Sequence, residues 1–286
     1  MHSAFLASEF APSPPAAARF HIIPVPYEAS VSYGHGTALG PQAILEASQQ
    51  LEAFDGLSQP GSHGIYTHPP LDCSGSPESV LARIQQATAA ALQCHALPVL
   101  LGGEHSLTLG ALRALQARYG RFGIVQFDAH ADLRPSYEGS IYSHACVMHR
   151  AVADLHLPLV QMAVRDFCLE EAQIRLDYNV IHFDGPTLAR HGLPTEPLPP
   201  DFPEHIYISF DVDGLDSSVM PATGTPVPGG LSWYDALSLV ETCTQARTVI
   251  GMDIVELAPI PALHFASYTA ARLTYHLMGI VERANF

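Results

Sequence analysis

The sequence contains no lysine: all 13 basic residues among its 286 are arginine. That absence removes Schiff-base chemistry, the lysine of a phosphate-binding loop and pyridoxal phosphate chemistry. Cysteine is sparse too. The five (Cys73, Cys94, Cys146, Cys168, Cys243) are scattered without a C-x-x-C pair. Neither a disulfide framework nor a zinc ribbon is implied, and a reduced, cytoplasmic setting is expected. No apolar run reaches the roughly 18 residues of a membrane span, so no membrane partner is expected. The formal charge of −15 lacks the basic footprint that nucleic acid requires and suits a cationic small molecule instead.

What is present is enough for a core, with 48% of residues hydrophobic. Residues 1–19 are rich in Ala, Pro and Ser and read as a loose tail, without the basic start and apolar stretch of a signal peptide. From residue 20 onward, β-like runs (20–26, 97–101, 122–127, 157–164, 179–183, 205–210, 249–255) alternate with amphipathic segments. Helices are predicted over 41–54, from Pro77 behind the cap Ser76, from Ser106, over 170–176, over 233–246 behind Ser232, and over 264–282. Residues 59–77 read as loop. No repeat or domain break interrupts this alternation. It predicts an α/β fold in one domain over 20–286, a parallel sheet covered on both faces.

The most informative stretch is Asp128-Ala129-His130-Ala131-Asp132, which closes the apolar run Gly123-Ile124-Val125-Gln126-Phe127. Side chains at i, i+2 and i+4 of an extended chain share one face, so Asp128, His130 and Asp132 aim at one point. Asp211 and Asp213 repeat the spacing after another β-like run, and His105 closes a third. These side chains lie at predicted carboxyl ends of strands, where ligands collect in open α/β sheets. The carboxylates of Asp128, Asp132, Asp211 and Asp213 would balance two divalent cations, and two imidazoles add neutral donors. A mostly oxygen set with some nitrogen fits two Mn²⁺ best, with Fe²⁺, Co²⁺, Ni²⁺ or Zn²⁺ also possible. Two such ions roughly 3.5–4 Å apart can acidify a shared water towards neutrality.

Together, Gly102-Gly103-Glu104-His105-Ser106, Asp128-Ala129-His130-Ala131-Asp132 and Ser209-Phe210-Asp211-Val212-Asp213-Gly214-Leu215-Asp216 resemble the ureohydrolases, the family of arginases and agmatinases. The likeness continues through Pro221-Ala222-Thr223-Gly224-Thr225-Pro226 and Gly251-Met252-Asp253-Ile254-Val255-Glu256. It implies a three-layer α/β/α fold around an eight-stranded, mainly parallel sheet. It also implies a manganese pair bridged by Asp128 and Asp211, with His105 and Asp132 on one ion and His130 and Asp213 on the other. Glu256 would anchor a guanidinium through paired, charge-assisted hydrogen bonds, and Thr225 would line the same pocket. His144 would carry a proton to the leaving amine, with His149 its nearby competitor, and Asp132 could relay one from the nucleophile. Homotrimers or homohexamers are also implied.

The loop 133–145 lacks the Asn and Ser pattern by which arginases hold an amino acid, and it resembles agmatinases instead. Agmatine, hydrolysed to putrescine and urea, is the expected substrate, with Glu138 facing its distal amine. Arginine, 4-guanidinobutyrate, guanidine and formiminoglutamate are the alternatives. A non-catalytic metal-binding subunit and a dinuclear phosphoesterase are readings of other classes, and the absence of lysine counts against the second. Glu104 stands where many family members have Asp, which puts the surroundings of the ligands, not the ligands, in question. Arg165 reads as structural or near a subunit contact, and Cys146 beside His144 is not needed as a nucleophile.

Overall fold

The computed structural model describes residues 4–285. Eight strands form a single sheet: β1 Phe20–Val25, β2 Ile65–Thr67, β3 Leu97–Gly102, β4 Gly123–Phe127, β5 Leu159–Met162, β6 Ile181–Phe183, β7 His205–Asp211 and β8 Thr248–Val255. Their order is β2-β1-β3-β8-β7-β4-β5-β6, and neighbouring strands pair in parallel throughout. The helices are α1 Gly40–Ser48, α2 Pro77–Gln93, α3 Thr108–Tyr119, α4 Val147–His149, α5 Leu169–Asp177, α6 Gly185–His191, α7 Trp233–Thr244 and α8 His264–Asn285.

Alternation along the strands sorts the core into two layers. Val99 and Leu101, Val125 and Phe127, and Ile208 and Phe210 face the layer built with α1, α7 and α8. Leu100, Ile124 and Tyr207 face the layer built with α2, α3 and α4. Phe127 and Phe210 stack across adjacent strands at 5.0 Å between ring centroids. The result is the expected three-layer α/β/α architecture. No helix among the described residues is long and apolar enough to cross a membrane.

Three expectations need correction. The segment before β1 is not a loose tail where it is described. Leu6 is fully buried and Phe5 nearly so; the Phe5 N–H donates to Thr67 Oγ1 and the Leu6 N–H to Ser48 Oγ, each at 2.9 Å. Two apolar side chains inside an Ala/Pro-rich stretch suffice to pin it. The first helix stops at Ser48 rather than residue 54, where the Ser48 hydroxyl bonds back to Leu45 O at 2.7 Å and competes for the helix carbonyls. The predicted loop 59–77 contains β2, an edge strand of three residues paired to β1.

The topology matters most at the centre. The chain lays β1 to β3 on one half of the sheet and β4 to β6 on the other, then inserts β7 and β8 between them. The carboxyl ends of β3, β8, β7 and β4 are therefore adjacent, and connections leave them in opposite directions. This is the switch point where open α/β sheets build ligand sites.

Candidate metal centre

Each of the four central strands delivers residues there. At the end of β3, Gly103 packs so tightly on Tyr27 that a β-carbon would collide with the Tyr27 backbone. Glu104 then turns away from the centre. Its Oε2 accepts the N–H groups of Ala29 and Ser30 at 2.5 and 2.6 Å, and its Oε1 accepts the hydroxyls of Ser30 and Ser106 at 2.8 and 2.5 Å. Glu104 thus fastens the loop after β1 to the site.

His105 is fully buried, with Nδ1 3.1 Å from Asp128 Oδ2, 3.0 Å from Asp132 Oδ2 and 3.6 Å from Asp211 Oδ2. Its other nitrogen, Nε2, lies 2.8 Å from Ser209 Oγ, which spends its own proton on Asp253 Oδ1 at 2.9 Å. Nε2 must therefore donate, which leaves Nδ1 to face the carboxylates. Asp253 is held in turn by the hydroxyls of Thr108 and Tyr207 and by the Phe210 N–H.

Backbone N–H groups tie down one oxygen of each of three further carboxylates. Asp128 Oδ1 accepts the His130 N–H at 2.6 Å, Asp211 Oδ1 the Asp213 N–H at 2.8 Å, and Asp213 Oδ1 the Ala129 N–H at 2.9 Å. Asp213 Oδ2 lies 3.1 Å from His130 Nδ1. Two ligand-capable groups result, His105–Asp128–Asp132 and Asp128–His130–Asp213, and Asp128 belongs to both. Asp132 and Glu256 adopt φ of +53° and +65°. Left-handed backbone at non-glycine residues costs on the order of 1–3 kcal/mol and persists where surrounding structure enforces it.

Crowding sets the electrostatics. Burial and the charges of Asp213, Asp128 and Glu256 push the Asp211 carboxyl well above its ordinary value, and burial with Asp128 raises Asp132. Burial also opposes ionisation of Asp128, but contacts with His105 and His130 outweigh it and hold its pKa low. Burial disfavours a charged His130, yet Asp213 and Asp128 overcome it and push the imidazole up to about 12. These are the responses of carboxylates short of positive charge. Together with His105 Nδ1, buried and without a hydrogen-bond partner among the described residues, they fit a pair of divalent cations.

Above the cluster lies a narrow cavity lined by Asp132, Asp213, His144, Thr225 and Glu256. Glu256 Oε1 accepts the His105 N–H at 2.6 Å, and Oε2 has no hydrogen-bond partner among the described residues. Burial, then Glu104, raises the Glu256 pKa well above the usual carboxylate value. Ser30 holds His144 twice, accepting its N–H at 2.9 Å and lying 3.2 Å from Nδ1. The cavity opens into an outer chamber of about 280 Å³ that shares His130, Asp132, His144 and Thr225 and adds Tyr137, Asp166 and Phe167.

Residues 18–279 match the Arginase family. The chain belongs to that family. It is 39% identical over 268 residues to the N(1)-aminopropylagmatine ureohydrolase of Synechocystis sp., covering 90% of this chain and 87% of the relative. The protein of the same name from Thermus thermophilus is 37% identical over 266 residues, covering 92% and 90%. Among solved structures, the agmatine ureohydrolase of Thermoplasma volcanium superposes with a TM-score of 0.87 at 29% identity, over 98% of this chain and 94% of that one. The chain is therefore a ureohydrolase-type hydrolase acting on guanidino compounds.

Nine of the side chains that the sequence points to meet here: His105, Asp128, His130, Asp132, Asp211 and Asp213 at the base, and His144, Thr225 and Glu256 on the cavity wall. His149 does not; its ring packs edge-on against Tyr178. Glu138 also misses, at the exposed tip of the Tyr137–Ser140 turn, and the exposed carboxylate facing the chamber is Asp166. Cys146 is buried, with a thiol pushed up to about 12 by burial and then by Asp132, so it is no nucleophile. Arg165 is structural, donating to the carbonyls of Ala163, Asp213, Leu215 and Val227. Ser30, Ser209 and Asp253 were not singled out. An aspartate inside the otherwise apolar run Gly251-Met252-Asp253-Ile254-Val255 is a signal that could have found one of them.

Proposed function

We propose that this protein hydrolyses the guanidino group of a polyamine, and that N(1)-aminopropylagmatine is its substrate, giving spermidine and urea. The balance is simple: R–NH–C(NH₂)₂⁺ and water become R–NH₃⁺ and urea. Agmatine, the substrate expected from the loop 133–145, is one aminopropyl group shorter and is the second reading. Identity to two relatives named for the longer amine favours the longer substrate.

In this proposal His105, Asp128, His130, Asp132, Asp211 and Asp213 hold two divalent cations, Mn²⁺ suiting the donor set best. When bound, such a pair acidifies water so that a nucleophile exists at neutral pH. Glu256 receives the planar guanidinium through charge-assisted hydrogen bonds and fixes its carbon over the cluster. Thr225 closes the pocket beside it. His144, oriented by Ser30, passes a proton to the departing amine, and Asp132 faces the water as a relay. The cationic tail then runs into the outer chamber, past Tyr137 and Phe167, towards Asp166. Assembly into homotrimers or homohexamers and a reduced cytoplasmic setting belong to the same proposal.

One observation carries it: Glu256, His144 and the ligand candidates Asp132 and Asp213 line a single cavity. The test is urea release by the Mn²⁺-loaded protein from N(1)-aminopropylagmatine, agmatine, arginine, 4-guanidinobutyrate and guanidine at equal concentration. The highest kcat/KM is expected for N(1)-aminopropylagmatine. A higher value for agmatine would shorten the substrate, and one for arginine would overturn the polyamine reading.

A further inference from the structure

A buried polar chain runs from the outer helix α5 to the shared ligand Asp128. The Arg175 Nε–H donates to Gln161 Oε1 at 2.8 Å. The Gln161 amide donates onward to Gln126 Oε1 at 2.6 Å and to Ala131 O at 2.7 Å. The Gln126 amide donates to Asp128 Oδ2 at 2.8 Å, with His130 O at 3.4 Å. Both glutamines are fully buried and Arg175 nearly so. The guanidinium is balanced by Asp184 at 3.1 Å and covered by the Phe167 ring at 4.4 Å.

Apolar side chains on β4 and β5 would pack as well without the desolvation cost of two amides and a guanidinium, so the chain calls for a reason. Its direction supplies one. A guanidinium can only donate, so Gln161 must turn its oxygen to Arg175 and its NH₂ group to Gln126. Gln126 must then turn its own NH₂ towards Asp128. Asp128, which can only accept, requires the same direction from the other end, so the donor and acceptor ends of the chain agree.

We infer that Arg175 locks the polarity of this chain from its outer end, so that two oriented amides aim Asp128 and pin the carbonyls of the ligand loop between His130 and Asp132. Arg175, Gln161 and Gln126 are positioning residues. The inference rests on the metal-centre reading and not on the choice of substrate.

Gln161→Glu tests it because size and the Arg175 partner are kept while both donors are lost. Gln126 then turns its NH₂ to the new carboxylate and its oxygen to Asp128, a repulsive contact. The readout is the Kd for Mn²⁺ of metal-stripped protein, measured by competition with a chelating dye on variants whose circular dichroism matches the wild type. Gln161→Glu is expected to weaken binding by about 10–100-fold. Gln161→Met is expected to weaken it less, and adding Gln126→Leu to Gln161→Glu should restore part of the loss by removing the repelling oxygen. A merely structural glutamine predicts the opposite order, since Met leaves the buried Arg175 Nε–H without its acceptor. Wild-type affinity in Gln161→Glu, or greater damage from Met, overturns the inference. Should Gln161→Glu not fold, unchanged Mn²⁺ affinity in Gln126→Leu alone overturns it. A wild-type protein that binds no Mn²⁺ would instead refute the metal centre itself.

Discussion

Glu256 Oε1 accepts the backbone N–H of His105 at 2.6 Å, so the proposed guanidinium anchor after β8 and a proposed ligand after β3 are fixed by one contact. Glu256→Gln keeps that contact, because the amide oxygen still accepts, and removes only the charge. The substitution should leave Mn²⁺ stoichiometry unchanged while kcat/KM for the guanidino substrate falls about 10²–10³-fold, as for loss of a buried charge-assisted pair. Metal analysis beside steady-state kinetics checks it. Loss of the metal together with activity would place Glu256 among the supports of the cluster rather than at the substrate.

His144 depends on Ser30, which Glu104 holds in place. His144→Asn should lower kcat by about 10²–10⁴-fold, the usual worth of a positioned acid or base. Ser30→Ala should lower kcat by a smaller factor with KM little changed. If Ser30→Ala raises KM and leaves kcat intact, this loop shapes the pocket and does not orient the histidine.

Leu6 is fully buried although it lies in a stretch that reads as a tail. Leu6→Ala should cost about 2–5 kcal/mol in urea denaturation, the range for truncating a core leucine. A loose segment would show a change within about 0.5 kcal/mol, as expected of an exposed site.

The His68 ring makes a 3.0 Å contact through Nε2 with Nδ1 of His21, at the edge where β1 meets β2. Burial, then His21, lowers the His68 pKa from 6.5 to about 4. Between those values the unfolded chain binds the proton that the folded protein refuses, so this group makes stability rise with pH from about 4 to 6.5. Its contribution is flat above that window. Thermal unfolding of metal-stripped protein should therefore show a shallower rise over this window in His68→Gln than in the wild type. Equal slopes would contradict a His68 held neutral by burial.

The sequence makes the centre of this protein legible because its chemistry is local. Asp128, His130 and Asp132 share a strand face by spacing alone, and Asp211 and Asp213 do so again. The long strands and the helices behind Ser76 and Ser232 carry their own caps and periodicity. What stayed hidden depends on partners distant in the chain. Three-residue β2 exists because β1 offers it an edge. Ser30 acquires a role only when Glu104, 74 residues on, captures it. Gln126 and Gln161 are visible as polar residues inside apolar runs, but that they join each other follows from the pairing of β4 with β5. Asp166 replaces Glu138 at the chamber because backbone pairing sets it beside His130.

Guanidino hydrolysis at this metal centre is tested by product analysis with N(1)-aminopropylagmatine and chelator-stripped protein refilled with Mn²⁺. Urea and spermidine are expected in equal amounts, with no turnover before refilling and none in Glu256→Gln at matched enzyme. Full Mn²⁺ occupancy with no urea from this amine, or from any other guanidino compound, would contradict it.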